Sequence, residues 1–119
     1  MENSDDVELF LSDFKFKLGF YGILFRDERG KNAKTLADLE ITSNDRIEVI
    51  KKLSVENYSE GPIPERLYNN ADMWVFGSIV KNKEIYIKIS MGMPNSKTLC
   101  ISFHIAEYPM NYPFNLKNN

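Results

Sequence analysis

The sequence predicts an α+β fold, with N-terminal helices packed on a C-terminal antiparallel sheet. Two observations carry that expectation. Apolar residues recur at spacings of three and four early in the chain and at every second position after residue 73. Helical patterns come first and strand patterns follow, the order that places helices together on one face of a sheet. A chain of 119 residues fits one domain. It is expected to divide into a mainly helical part (1–53), a loop (54–72), and a sheet with a C-terminal strap (73–114).

Ser4 is positioned to cap a first helix, and Asp5, Asp6 and Glu8 place negative charge at its positive end. Val7, Phe10, Leu11, Phe14, Leu18 and Tyr21 share one helical face, and Gly19 or Gly22 ends the run. Ile23 to Arg26 is expected to be a brief strand or extended segment before a polar turn. Leu36 and Leu39 suggest a turn or two of helix. Thr42 caps a further helix, with Asp45 completing a weak capping box and Ile47, Ile50 and Leu53 facing inward. Gly61, Pro62 and Pro64 then forbid a long regular element, so residues 54–72 are expected to be a loop.

Met73 to Val80 is apolar on both faces, as a central strand is. Glu84 to Ser90 alternates, with Ile85, Ile87 and Ile89 on one face and Glu84, Tyr86, Lys88 and Ser90 on the other. Lys97 to Ile105 is expected to do the same, setting Leu99, Ile101, Phe103 and Ile105 against Thr98, Cys100, Ser102 and His104. Asn82 and Lys83 are expected to form the tight turn between the first two of these strands. Trp74 belongs to the core, and the Tyr- and Pro-rich segment from Glu107 to Phe114 is a packing strap.

Composition removes several function classes. With one cysteine and one histidine, Cys100 and His104, the chain has neither the ligands for a Cys/His zinc site nor the partner for an internal disulfide. The net charge of −2 argues against a protein that coats nucleic acid with basic surface. The charge is uneven, however. Residues 1–60 hold 13 acids and 9 bases, whereas residues 61–119 hold 4 acids and 6 bases. No apolar run approaches the roughly 18 residues that span a bilayer, and the acidic start lacks a secretory pattern, so a cytoplasmic location is expected. No nucleophile elbow, phosphate-cradling glycine loop or paired metal-binding acids are present.

Chemistry is therefore expected on the polar face of the sheet. A half-buried sheet ordinarily has a solvated face of this kind. Here that face offers Tyr86, Lys88, Ser102 and His104 together, so a ring, a cation and a titratable group would meet a single RNA strand. Glu60, in the expected loop, is a candidate general base, and Glu107 and Tyr108 follow His104 closely. Arg66, Lys81 and Lys83 are candidate phosphate contacts. Cys100 lies four residues from His104, about 13 Å along a strand, too far for a thiol–imidazole pair.

Four segments carry a resemblance. They are Leu53-Ser54 to Tyr58-Ser59-Glu60-Gly61-Pro62, Met73-Trp74-Val75-Phe76-Gly77, Glu84 to Ile89, and Cys100 to Glu107 with Tyr112-Pro113-Phe114. Together they resemble the MqsR-type toxins of bacterial toxin–antitoxin systems, over residues 42 to 114. The resemblance implies a RelE-like fold and an mRNA endoribonuclease that needs no metal or other cofactor. It also implies silencing by a cognate, DNA-binding antitoxin. In that family the site is a Lys, a Gln, a Tyr and a second Lys. Tyr86 matches the Tyr and His104 stands at the second Lys, whereas Glu60 and Met73 fall near the first Lys and the Gln. The altered set would use Glu60 as base, Lys88 and Arg66 to steady the phosphorane, His104 as acid, and Tyr86 to stack or hydrogen-bond. The alternative is a noncatalytic RelE-like module that binds a protein partner.

Overall fold

A computed structural model describes residues 3–28, 30–67 and 70–115. Helix α1 (Ser4–Tyr21) is capped one residue earlier than expected, by Asn3, whose side-chain oxygen accepts from the Asp6 N–H at 2.9 Å. Gly22, at φ 83°, closes its C-terminus by donating to the Leu18 carbonyl. Val7, Phe10, Leu11, Phe14 and Leu18 are buried, while Tyr21 is turned outward and its hydroxyl donates to Asn95. Strand β1 (Ile23–Phe25) and helix α2 (Gly30–Leu39) follow. Helix α3 (Ser43–Lys51) carries the full Thr42–Asp45 capping box.

Its inner side holds Ile50 and Leu53, with Ile47 only half-buried, and also Arg46, which the apolar pattern does not mark. The Arg46 guanidinium is 1% exposed and grips both carboxylate oxygens of Asp27 at 2.9 Å. It also donates to Ser43 and lies 3.8 Å from the Phe25 ring centre. A buried cation is tolerated only when paired and hydrogen-bonded in this way.

A short 3-10 turn (Val55–Asn57) leads into strands β2 (Tyr58–Ile63), β3 (Met73–Val80), β4 (Lys83–Ser90) and β5 (Thr98–Ile105). The sheet order is β1-β5-β4-β3-β2. Helices on a sheet give the expected α+β architecture. The sheet is mixed rather than wholly antiparallel, because β1 joins β5 in parallel through Ile23↔Thr98 to Phe25↔Cys100. Ile85, Ile87 and Ile89 are fully buried in the core that α1 covers.

Three local expectations are corrected. About a third of the segment expected to be loop is the six-residue strand β2, which accommodates Gly61 and Pro62 because it is an edge strand paired irregularly with β3. The hairpin turn is Lys81–Asn82, one residue earlier than expected, with both residues at positive φ (50° and 67°). Positive φ at both central positions is what a two-residue hairpin matched to strand twist requires. Finally, the alternation in β5 breaks. Ile89 pairs with Cys100 and Lys88 with Ser102, so Ile101 is an extra residue. This bulge turns Cys100 into the core beside Ile89 and places Leu99 and Ile101 on the outer face. Burial pushes the Cys100 thiol up to about 12.

Candidate functional site

The outer face of β4 and β5 is the floor of an open cleft of about 730 Å³. Its centre is set by strand register, with Tyr86 opposite His104 and Lys88 opposite Ser102. The Tyr86 and His104 rings stack, 5.2 Å between centroids and 13° between planes. The Lys88 ammonium lies 5.8 Å from the Tyr86 ring centre. His104 Nδ1 is 3.0 Å from the Ile105 carbonyl oxygen. With Nδ1–H donated there, Nε2 is the ring atom left to exchange a proton.

Three walls surround this floor. The first is β2, which brings Ser59 and Glu60. The charge of Glu60 reaches the Tyr86 phenol, whose pKa is raised by burial first and by Glu60 second. Tyr86 is thereby kept in its hydrogen-bond-donating form.

The second wall is the first turn of α2, from Gly30 to Asn32. Asn32 is buried and fastens the helix to the bulged strand. Its Oδ1 accepts from Phe103 N–H at 2.9 Å, and its Nδ2 donates to the carbonyls of Ile101 and Arg26. One turn on, Thr35 Oγ1 accepts from Ile105 N–H at 3.1 Å. Two side chains thus satisfy backbone groups that β1, ending at Phe25, is too short to reach.

The third wall is the strap after β5. Glu84, on the cleft face of β4, accepts from the Tyr112 hydroxyl at 2.7 Å and from Met110 N–H at 3.1 Å. Burial and this carboxylate push the Tyr112 phenol up. Phe114 anchors the far end against the Tyr58 ring, 5.4 Å between centroids. Glycine at position 77 makes room, since a Cβ there would collide with the Tyr112 hydroxyl and come within 2.9 Å of the Met110 sulfur.

Of the residues singled out from sequence, Tyr86, His104, Lys88, Ser102 and Glu60 meet in this cleft. Arg66 lies in an adjoining hollow that shares Lys88 with it. Glu107 and Tyr108 are on the rim, and Glu107 is ion-paired with Lys31, which holds its carboxyl below the usual range. Lys81 and Lys83 do not line the cleft. Lys81 donates to the Leu39 carbonyl at 2.8 Å, closing the C-terminal end of α2. Lys83 follows the parity of Ile85 and Ile87, the opposite face of β4. Lys31, Asn32, Ser59 and Met110 belong to the cleft but were not marked by the sequence pattern. Lys31 and Asn32 precede β5 by about seventy positions, and no spacing rule links the two.

No group of three or more His, Cys, Asp or Glu side chains among the described residues is placed to hold a metal ion. Comparisons with protein-family models, curated proteins and solved structures give no match for the chain. The functional reading therefore rests on the cleft.

Proposed function

We propose that the chain is a metal-independent mRNA endoribonuclease of RelE-like fold, acting in the cytoplasm as the toxin of a type II toxin–antitoxin pair. The observation that carries the reading is the convergence of Tyr86, His104, Lys88 and Glu60 on one open cleft. RNA carries its own nucleophile, so the protein need only move two protons and stabilise charge. Glu60 takes the proton of a ribose 2′-hydroxyl, and the 2′-oxygen attacks the adjacent phosphorus. The 5′-oxygen leaves with a proton from His104 Nε2, giving a 2′,3′-cyclic phosphate and a 5′-hydroxyl. Lys88 offsets the charge that builds on the phosphorane, and the Tyr86 hydroxyl donates to a non-bridging oxygen.

The test is to incubate purified protein with single-stranded RNA in EDTA and analyse the fragment ends. Fragments ending in 2′,3′-cyclic phosphate are expected. Intact RNA would overturn the reading.

One observation favours the alternative, a noncatalytic module for a protein partner. Leu9, Phe16 and Phe20 are 63%, 79% and 76% exposed and align on the outer side of α1. Asp5, Asp6 and Asp13 flank them, while Lys15 and Lys17 are turned inward onto the carbonyls of Leu53, Met91 and Met93. A basic amphipathic helix suits this stripe. An antitoxin carrying such a helix would serve the toxin as well, so intact RNA together with capture of that helix is the result that selects the module.

A further inference from the structure

A second hollow opens on the same outer face and shares Lys88 and Ile101 with the cleft. It encloses about 340 Å³, at the small end of ligand sites. Its floor is apolar where the outer face of a sheet is ordinarily polar. Met73 comes from β3, and Leu99 and Ile101 come from β5 because the bulge turns them outward. Leu67 forms the roof, and Arg66 and Arg26, the latter ion-paired with Glu28 at 2.8 Å, stand at the sides with Glu65.

The roof is held in place. The Glu65 carboxylate accepts from the N–H groups of Leu67 and Asn70, each at 2.9 Å. Ser90 fixes the loop's far end by donating to the Ala71 carbonyl at 2.8 Å.

The geometry points to a second nucleotide subsite, in which single-stranded RNA crosses Lys88 and lays the next base between Leu67 and the Met73–Leu99–Ile101 floor. This inference rests on the ribonuclease reading for the polarity of the strand but makes a separate claim about binding. An apolar slot flanked by guanidinium groups suits a nucleobase, whose π-face packs on aliphatic carbon and attracts cations whatever its sequence. Lys88, shared by the two hollows, then meets the phosphate that joins the two nucleotides. The subsite would make the protein a reader of at least two consecutive nucleotides.

The experiment measures binding of a mononucleotide and of an uncleavable 2′-deoxy dinucleotide by titration at fixed salt. The dinucleotide is expected to bind about tenfold more tightly, the gain from one further stacked base. Leu67→Asn, at an exposed position and without change of charge, should remove most of that gain while leaving mononucleotide binding unchanged. Leu99→Trp, which fills the slot, should do the same. A length gain that survives both substitutions, or no gain in the parent protein, overturns the subsite. Equal displacement by an acidic hexapeptide overturns it too, since that would mean an anion surface without a base pocket. Cleavage of RNA with no length gain removes the subsite alone. A length gain without cleavage removes the catalytic reading and leaves the subsite standing.

Discussion

Tyr86 and His104 lie face to face across adjacent strands, their ring planes within 13° of each other. Each ring therefore covers one face of the other, and what they offer the cleft is their polar edges, the Tyr86 hydroxyl and the His104 Nε2. Of the two roles open to Tyr86 from sequence, stacking on a base or hydrogen bonding, this arrangement favours hydrogen bonding. It also holds the imidazole in place, so that the proton donation proposed for His104 would not require ordering a mobile side chain.

Replacement of His104 by Ala should lower the rate of RNA cleavage by about 10²- to 10⁴-fold, the usual worth of a positioned acid. Tyr86→Phe, which keeps the stacked ring and deletes only the hydroxyl, should cost less, about tenfold, as loss of a single hydrogen bond does. Both are read from initial rates on a fluorescent oligoribonucleotide, with melting temperature as the control for folding. Unchanged cleavage in His104→Ala would remove the imidazole from the mechanism.

How much of this was legible beforehand depends on the kind of interaction. The succession of helices and then strands, the capping box at Thr42 and the burial of Ile85, Ile87 and Ile89 follow from local periodicity. So does the meeting of Tyr86, Lys88 and His104, because two regular strands suffice to align them. The face on which Cys100 sits does not, since an alternating sequence gives no sign of a bulge whose freed backbone groups are satisfied by Asn32, far away in the chain. Strand β2 was hidden for a related reason. Gly61 and Pro62 read as breakers, and only an edge position in the sheet makes them acceptable. Nothing in the local apolar pattern marks Arg46, because its burial depends on Asp27 being brought to it by the fold.

Asp27→Asn tests that last pair. Removing the carboxylate charge leaves the buried Arg46 guanidinium without its counterion, and breaking such a pair costs about 3 kcal/mol. The low end of the usual range applies because Asp27 itself is 34% exposed. Denaturant unfolding at neutral pH should show the loss as a lower midpoint with an unchanged slope.

The same pair makes a prediction about acid. The Asp27 pKa is lowered from 3.8 chiefly by the hydrogen bond from Arg46. A group whose pKa is depressed on folding contributes stability above its unfolded value, and that stability is lost as pH falls through the folded value. The parent protein should therefore lose stability on acidification below about pH 4, and Asp27→Asn should lose less over that window. Melting temperatures measured from pH 7 to pH 2 decide it; parallel curves for the two proteins would assign the acid sensitivity elsewhere.

Cys100 offers a probe of the β5 bulge. Had the strand alternated regularly, its thiol would share the open face with His104 and react with disulfide reagents. In the bulged strand it is fully buried, and its pKa of about 12 leaves almost no thiolate at neutral pH. Labelling by an aromatic disulfide should be negligible in the native protein and should rise with denaturant along the unfolding transition. Rapid labelling without denaturant would place Cys100 outside the core and remove the bulge.

The strap supplies the last prediction, because a single hydrogen atom at position 77 lets it lie against the sheet. In Gly77→Ala the new methyl group would occupy the space of the Tyr112 hydroxyl, and the strap must lift. The core should survive, since Gly77 packs against the strap on the face away from the isoleucines. Lifting the strap separates Tyr112 from Glu84 and withdraws Met110 from the cleft wall. The expected result is faster proteolysis between residues 107 and 115 and weaker RNA binding, with little change in the cooperative unfolding of the sheet. Tyr112→Phe is the milder companion. It removes one hydrogen bond to a partly buried carboxylate, about 1 kcal/mol, and should open the same segment to protease to a smaller degree. If Gly77→Ala leaves both cleavage of the strap and RNA affinity unchanged, the strap is not a wall of the cleft, and the third side of the site must be sought elsewhere.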